Sequence, residues 1–288
     1  MPIIKNSAII LISCPDNKGI VNAVTNFIVE HNGNIIDLEQ HVDPLENMFF
    51  MRVEWDLEEF KLSKNDIQKN FEDNVATKLN MSWSLNFSDR PQSMAIFVSK
   101  YSHCLFDILA RHQTHEWDFN IPLVISNHKN LEKSVTQLGI DFHYIPITND
   151  NKQQAEQQQI KLLKENNVDV IVLARYMQII SENFITHFEN KIINIHHSFL
   201  PAFPGAKPYH SAYERGVKII GATSHYVTAD LDAGPIISQG VEPIRHSDNI
   251  EELVRKGQDI EKIVLSKAIW SHINFKNLVY KNRTIVFE

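Results

Sequence analysis

Apolar positions along the first third of the chain alternate between two rhythms. Residues 7–13 (SAIILIS) form a compact β-branched run that predicts a strand. The turn formers CPDNKG follow. Ile20, Val21, Val24, Phe27 and Ile28 then recur at helical spacing, which predicts an amphipathic helix over 19–30. HNGN ends it, with Gly33 able to take the left-handed position after a helix. Residues 35–42 read as a second strand. Phe49, Met51, Val53 and Trp55 alternate with Phe50, Arg52 and Glu54, which marks a third strand with one wetter face. Residues 66–79 read as a second helix and 81–87 as a fourth strand. The order βαββαβ is the split, ferredoxin-like arrangement.

SDRPQ is polar and holds a proline, so residues 88–93 are assigned to a linker between a domain at 1–87 and one at 94–288. From Met94 the rhythm changes. MAIFVS, IPLVIS, FHYIPI, VDVIVLA and KIINI are strand-like, and helical spacing separates them at 104–112, 131–138 and 152–166, with a short helix ahead of KIINI. Strands alternating with helices predict a mostly parallel, Rossmann-like sheet covered on both faces. Residues 208–215 read as a further helix, GATSHYVT as a strand, ADLDAGP as a tight turn and PIISQ as the run that leaves it. The fold class is therefore α/β.

Composition narrows what such a chain does. Its 288 residues suit two compact domains, and 43 % apolar content supports ordinary cores. The formal charge of −7 argues against a general nucleic-acid grip, which needs a basic stripe. Two distant cysteines, Cys14 and Cys104, predict packed, reduced thiols rather than a disulfide scaffold or zinc site. No stretch approaches the roughly 20 apolar residues of a membrane span, and the N-terminal run is too short for a signal sequence; a cytoplasmic protein is expected. GxGxxG, GxxxxGK[ST] and GxSxG are all absent. His196, His197, His210 and His225 offer imidazoles for a metal. Adjacent histidines on an extended chain point to opposite sides, however, and no HExxH pair occurs, so no metal is expected.

Open α/β sheets bind ligands beyond the carboxyl ends of their strands. Asn194 and His196 leave KIINI there, Arg175–Tyr176–Met177–Gln178 leave VDVIVLA, and Asp232 lies in a turn that returns to the same edge. An Asn amide and an imidazolium can both donate to the oxyanion formed when a formyl carbonyl is attacked. A carboxylate beside the histidine would favour its charged form, orient a water and accept its proton. Spacing alone leaves the bland alternatives open. A histidine after a strand commonly makes structural hydrogen bonds, and an aspartate in a glycine-containing turn commonly serves turn geometry.

INIHHSFLPAFPGAKPYHSAYERG, followed by GATSHYVTADLDAGPIISQ, resembles the folate-dependent formyltransferases, and within them the deformylases, over nearly all of the second domain. ISCPDNKGIVNAVTNFIVEHNGNI and QHVDPLENMFFMRVEW are similar to the ACT domain that precedes the deformylase domain, a regulatory or oligomerisation module. The resemblance implies a catalytic set of Asn194, His196 and Asp232. It also implies pterin contacts, mostly through backbone, from Tyr176, Met177, Gln178, Ile179, Ala229, Asp230 and Leu231. Met177 and Ile179 are equally compatible with ordinary core.

The implied activity is hydrolysis of 10-formyltetrahydrofolate to formate and tetrahydrofolate, which would supply formate for purine synthesis and balance the one-carbon pool. No permanently bound cofactor is expected. Transfer to an amine such as glycinamide ribonucleotide is the alternative, and a folate-binding regulator without catalysis a third reading. In the transformylases a glycine-rich loop admits the substrate phosphate. Here Ser99, Lys100, Tyr101 and Ser102 stand in its place, which favours water as acceptor. His197 departs from the proline many transferases carry, and no role is assigned to it; Arg175 reads as a surface charge. Pro201, Pro204 and Gly205 shape the loop into the 208–215 helix. The ACT resemblance implies an amino-acid effector, glycine or methionine, held by Asp16, Asn17, Lys18 and Gly19 at a helix N-terminus, or assembly into a homodimer or homotetramer.

Overall fold

A computed structural model describes residues 6–201 and 208–288. The chain divides into two compact units by internal packing: 1–91 with 274–278 and 285–288, and 92–273 with 279–284. Part of the C-terminal tail thus packs with the first unit, although the pattern joined it to the second.

The first unit holds β1 (Ser7–Pro15), α1 (Ile20–Glu30), β2 (Asn34–Asp43), β3 (Met48–Asp56), α2 (Lys64–Phe71) and β4 (Ser82–Phe87). Its antiparallel sheet has the order β2-β3-β1-β4, the ferredoxin-like arrangement. One face of β1 and β3 buries Ile10, Ile12, Met51, Val53 and Trp55 against α1 and α2. The helix read over 66–79 is not uniform: α2 gives way to a π-turn at Glu72–Ala76 and a 3-10 turn at Thr77–Leu79. The other face of β3 is not wet either. Phe50 and Arg52 are buried, and Arg52 pairs with Asp37 at 2.6 Å and Glu54 at 2.8 Å while donating to the Phe275 carbonyl. A charge is tolerated there because two carboxylates and a carbonyl satisfy it.

The second unit holds β5 (Gln92–Val98), α3 (His103–Gln113), β6 (Phe119–Ser126), α4 (Glu132–Thr136), β7 (Asp141–Tyr144), α5 (Lys152–Glu165), β8 (Val170–Ala174), α6 (Glu182–Thr186), β9 (Ile192–His196), α7 (Pro208–Arg215), β10 (Ile219–Tyr226), β11 (Ile236–Pro243) and α8 (Ile250–Ile273). Pro204 and Gly205 lie outside the described residues; Pro201 forms an exposed turn. The sheet order is β11-β10-β9-β8-β5-β6-β7. β7, β6, β5, β8 and β9 run parallel, and β10 and β11 add an antiparallel edge.

Pleating sorts the β5 side chains cleanly. Met94, Ile96 and Val98 face a core built with α3 and α8, whereas Ala95 and Phe97 face α5 and α6. Strands buried on both faces explain the near-continuous apolar runs in the sequence. The 24-residue α8 lies beyond the last element the pattern defined. A hairpin of β12 (Asn277–Tyr280) and β13 (Arg283–Val286) follows it. Among the described residues no helix is long and apolar enough to cross a membrane.

Candidate active site

The larger sheet changes its winding direction at β5, with β6 and β7 on one side and β8 and β9 on the other. Ligands bind beyond the carboxyl ends of the strands beside such a point. A cavity of about 290 Å³ opens there, lined by residues following β8, the end of β9 and the turn after β10. Asn194, His196 and Asp232 line it together, as do Tyr176, Met177, Gln178, Ile179, Ala229, Asp230 and Leu231.

Asn194 and His196 stand two apart on β9 and so share a face. On the antiparallel neighbour, His225 lies directly opposite Asn194. The Asn194 side chain is 3.2 Å from His225 Nε2, and His225 Nδ1 is 2.9 Å from the Tyr226 carbonyl. A carbonyl only accepts, so Nδ1 carries a hydrogen toward Tyr226, and Nε2 is left facing the Asn194 side chain and the turn that follows β10. His225 is the residue that sequence reasoning missed in this role. Its signal is the antiparallel register that sets GATSHYVT against INIH, visible only once those strands are paired.

Asp232 completes the group. Its carboxylate is 3.2 Å from His196 Nδ1 and 3.6 Å from His225 Nε2, the second a charge-pair distance only. Hydrogen bonds from His196, then His225, hold the carboxyl far below the usual carboxylate range, outweighing the opposing effect of burial. Asp232 has φ +53°, a left-handed conformation that Asp adopts more readily than most residues. Two residues on, a Cβ at Gly234 would fall 1.9 Å from the Tyr226 carbonyl oxygen. Only glycine lets this turn fold back onto β10, and that return aims Asp232 at the two histidines. His196 uses Nδ1 for Asp232; its buried Nε2 has no hydrogen-bond partner among the described residues.

The remaining lining residues divide. The Tyr176 ring packs edge-on against Phe97, and its hydroxyl accepts from Gln159, with burial pushing it up to about 12. Its side chain therefore belongs to the core. Met177, Ile179 and Leu231 do not: they are 46, 60 and 66 % exposed, apolar side chains at the margin of a cavity. The Met177 amide donates to Ser99 Oγ, and Ser99 in turn donates to Asn127, so the ends of β5, β6 and β8 are tied together.

Arg175 is not a surface charge. It is 7 % exposed, adopts φ +62°, stacks over Tyr101 at 4.9 Å and approaches Glu261 at 3.4 Å. His103, Cys104 and Glu261 offer ligand atoms within 4.8 Å of one another, the one such group among the described residues. These groups are engaged already: His103 donates to Glu261 at 2.8 Å, and burial holds the Cys104 thiol well above its ordinary range, against the thiolate a metal requires.

In the first unit, the loop Asp16–Gly19 is exposed and enters α1 through Gly19 at φ +92°. No side chain caps α1, and its first turn has no acidic residue.

The formyl transferase family model matches residues 92–269, and the ACT domain model matches residues 8–69. The second unit is accordingly a formyl transferase domain, preceded by an ACT domain. A formyltetrahydrofolate deformylase from Synechocystis sp. is 50 % identical over 281 residues, 98 % of each chain. The crystal structure of a formyltetrahydrofolate deformylase from Pseudomonas syringae superposes with a TM-score of 0.96 at 41 % identity, covering 99 % of this chain and 95 % of that one. Glycinamide ribonucleotide transformylase 1 from Symbiobacterium toebii is more distant, with a TM-score of 0.65 and 28 % identity over 71 % of this chain and 98 % of that one. The chain belongs to the formyltetrahydrofolate deformylase family.

Proposed function

We propose that this enzyme hydrolyses 10-formyltetrahydrofolate through Asn194, His196 and Asp232. The observation that carries the reading is that these three line one cavity, with His196 Nδ1 on Asp232 and Nε2 unengaged. The Asn194 amide and His196 Nε2–H donate to the formyl oxygen as it becomes an oxyanion. Asp232 orients His196 through Nδ1, positions a water and accepts its proton as the water oxygen bonds to the formyl carbon. The donated hydrogen bonds make Asp232 a weak base at rest. Development of the oxyanion polarises His196 toward the substrate and weakens its hydrogen bond to Asp232, which restores basicity to the carboxylate when the proton must move. Collapse of the intermediate breaks the C–N bond, the folate nitrogen takes up a proton, and formate and tetrahydrofolate leave with one proton released. These residues supply the polarising and proton-accepting groups themselves, so the mechanism uses no resident cofactor or metal.

Backbone of 176–179 and 229–231, with the apolar Met177, Ile179 and Leu231, holds the pterin in this reading. The ACT domain binds glycine or methionine at Asp16–Gly19, where uncapped amides of α1 favour a carboxylate, or assembles subunits into a dimer or tetramer. The enzyme works in the cytoplasm, supplying formate for purine synthesis and balancing the folate pool. Formate release from 10-formyltetrahydrofolate, measured with and without glycinamide ribonucleotide, tests the central reading. Release independent of the amine is expected; turnover that requires it would establish the transferase instead.

A further inference from the structure

Four strand ends form a row along the carboxyl edge of the sheet. The register pairs Val98 with Ser126, Val98 with Ala174, and Leu173 with Asn194. One step beyond, Asn127, Ser99 and Arg175 stand side by side, and the same register carries Arg175 to the height of His196. Asn127 and Ser99 satisfy each other. Arg175 departs from the row: its left-handed backbone breaks the pleat, and its guanidinium turns to Glu261 on α8 rather than to the α5 side, where pleating would send it.

Glu261 is the fixed point of this cluster. It is 1 % exposed and accepts from Tyr209 at 2.6 Å and from His103 at 2.8 Å, with Arg175 Nε at 3.4 Å. Burial alone would raise its carboxyl; the His103 hydrogen bond, the Arg175 charge and the Tyr209 hydrogen bond reverse that, so it stays ionised. The carboxylate thereby serves two hydrogen-bond donors and one cation. Arg175 keeps a surplus donor: Nε is paired with Glu261 at ion-pair distance only, and the buried Nη1 has no hydrogen-bond partner among the described residues. A guanidinium presents five N–H groups and accepts nothing, so buried nitrogens of this kind are matched by a planar anion. Arg175 lines the same cavity as Asn194 and His196.

We propose that Arg175 forms a carboxylate subsite within the catalytic cavity and that its ligand is the formate anion released there. The inference rests on the hydrolytic reading above. Hydrolysis turns an uncharged formyl group into an anion beside the Asp232 carboxylate, which repels it. Arg175 supplies the opposite charge on a separate strand end, drawing the product away from Asp232. Tyr101 covers one face of the guanidinium and Glu261 holds its Nε edge, so a planar anion is received edge-on at the remaining N–H groups.

The test is product inhibition of the full-length enzyme by sodium formate, with sodium chloride keeping ionic strength constant. Arg175→Met is expected to raise the formate inhibition constant about tenfold or more, the loss of one charge-assisted hydrogen bond. Arg175→Lys, which keeps the charge without the fork, is expected to fall between. Inhibition by tetrahydrofolate, which a merely structural defect would also disturb, is expected to stay as in the unsubstituted enzyme. Equal formate inhibition in a folded Arg175→Met protein overturns the proposal. Should Arg175→Met not fold, the unsubstituted protein decides alone: formate must raise its Tm above that in equimolar chloride, and no rise overturns the subsite. Failure of the hydrolytic reading is separate, since it shows as absence of formate release.

Discussion

The second unit contains two carboxylate–histidine clusters made of similar parts and put to different use. Asp232 sits in a half-buried turn, with His196 and His225 on adjacent antiparallel strands, and opens on the cavity. Glu261 sits in the middle of α8, almost wholly buried, with His103 from α3, Tyr209 from α7 and Arg175 after β8. In the first cluster the acid's partners leave His196 Nε2 unengaged. In the second, the acid's partners consume it, and the surplus donor belongs to the cation. A histidine beside a carboxylate is therefore not informative by itself. What separates a reactive group from a scaffold is which member retains an unspent polar atom in a space a ligand can enter.

Substitutions can break this contrast. Asp232→Asn is expected to lower kcat by on the order of ten-thousandfold, by analogy with loss of the orienting carboxylate in a catalytic triad, while folate still binds; rapid-quench formate assays and a folate titration check it. Glu261→Gln is expected to act on stability instead. It leaves the Arg175 charge buried without its partner and should cost about 3 kcal/mol, read as a fall in Tm of several degrees.

Gly257→Ala probes the same cluster, because a Cβ there would lie 2.1 Å from the Tyr209 hydroxyl oxygen. A loss of about 2 kcal/mol from overpacking is expected, recovered in part by a second change, Tyr209→Leu. His225→Leu should lower kcat by about tenfold with little change in KM, because the Asn194 amide loses the partner that orients it. The smallest effect concerns acid. Asp232 is held below its unfolded value of about 3.9, so its pairing stabilises the fold above about pH 4 and is lost as the pH falls. Denaturant unfolding of Asp232→Asn between pH 5 and pH 3 should therefore show a shallower loss of stability than the unsubstituted protein.

Much of the architecture was legible because periodicity is local. β1 through β4 and the parallel strands announce themselves through β-branched runs, and Asn194, His196 and Asp232 are reachable from two short segments. What escaped depends on distance in the chain. The wetter face inferred for β3 was really Arg52 covered by Asp37, Glu54 and a carbonyl at Phe275, which no pattern within β3 reveals. Arg175 read as a surface charge because its counter-ion lies on α8, beyond the last element defined by pattern. His225 was visible as a histidine, but its position beside Asn194 follows from antiparallel register, not from spacing. The 66–79 helix failed differently: the helical signal was real, but it does not distinguish α from π geometry.

The pairing of β10 with β9 has a consequence for how the enzyme would lose activity on heating. Asn194 and His196 lie on a strand of the parallel core, whereas His225 and the turn that delivers Asp232 come from the antiparallel edge. Fraying of that edge would separate the carboxylate from its histidine while the parallel strands and most of the apolar core remained in place. Catalysis would then vanish at a lower temperature than the bulk circular dichroism signal, and cooling would restore it without refolding of the whole domain.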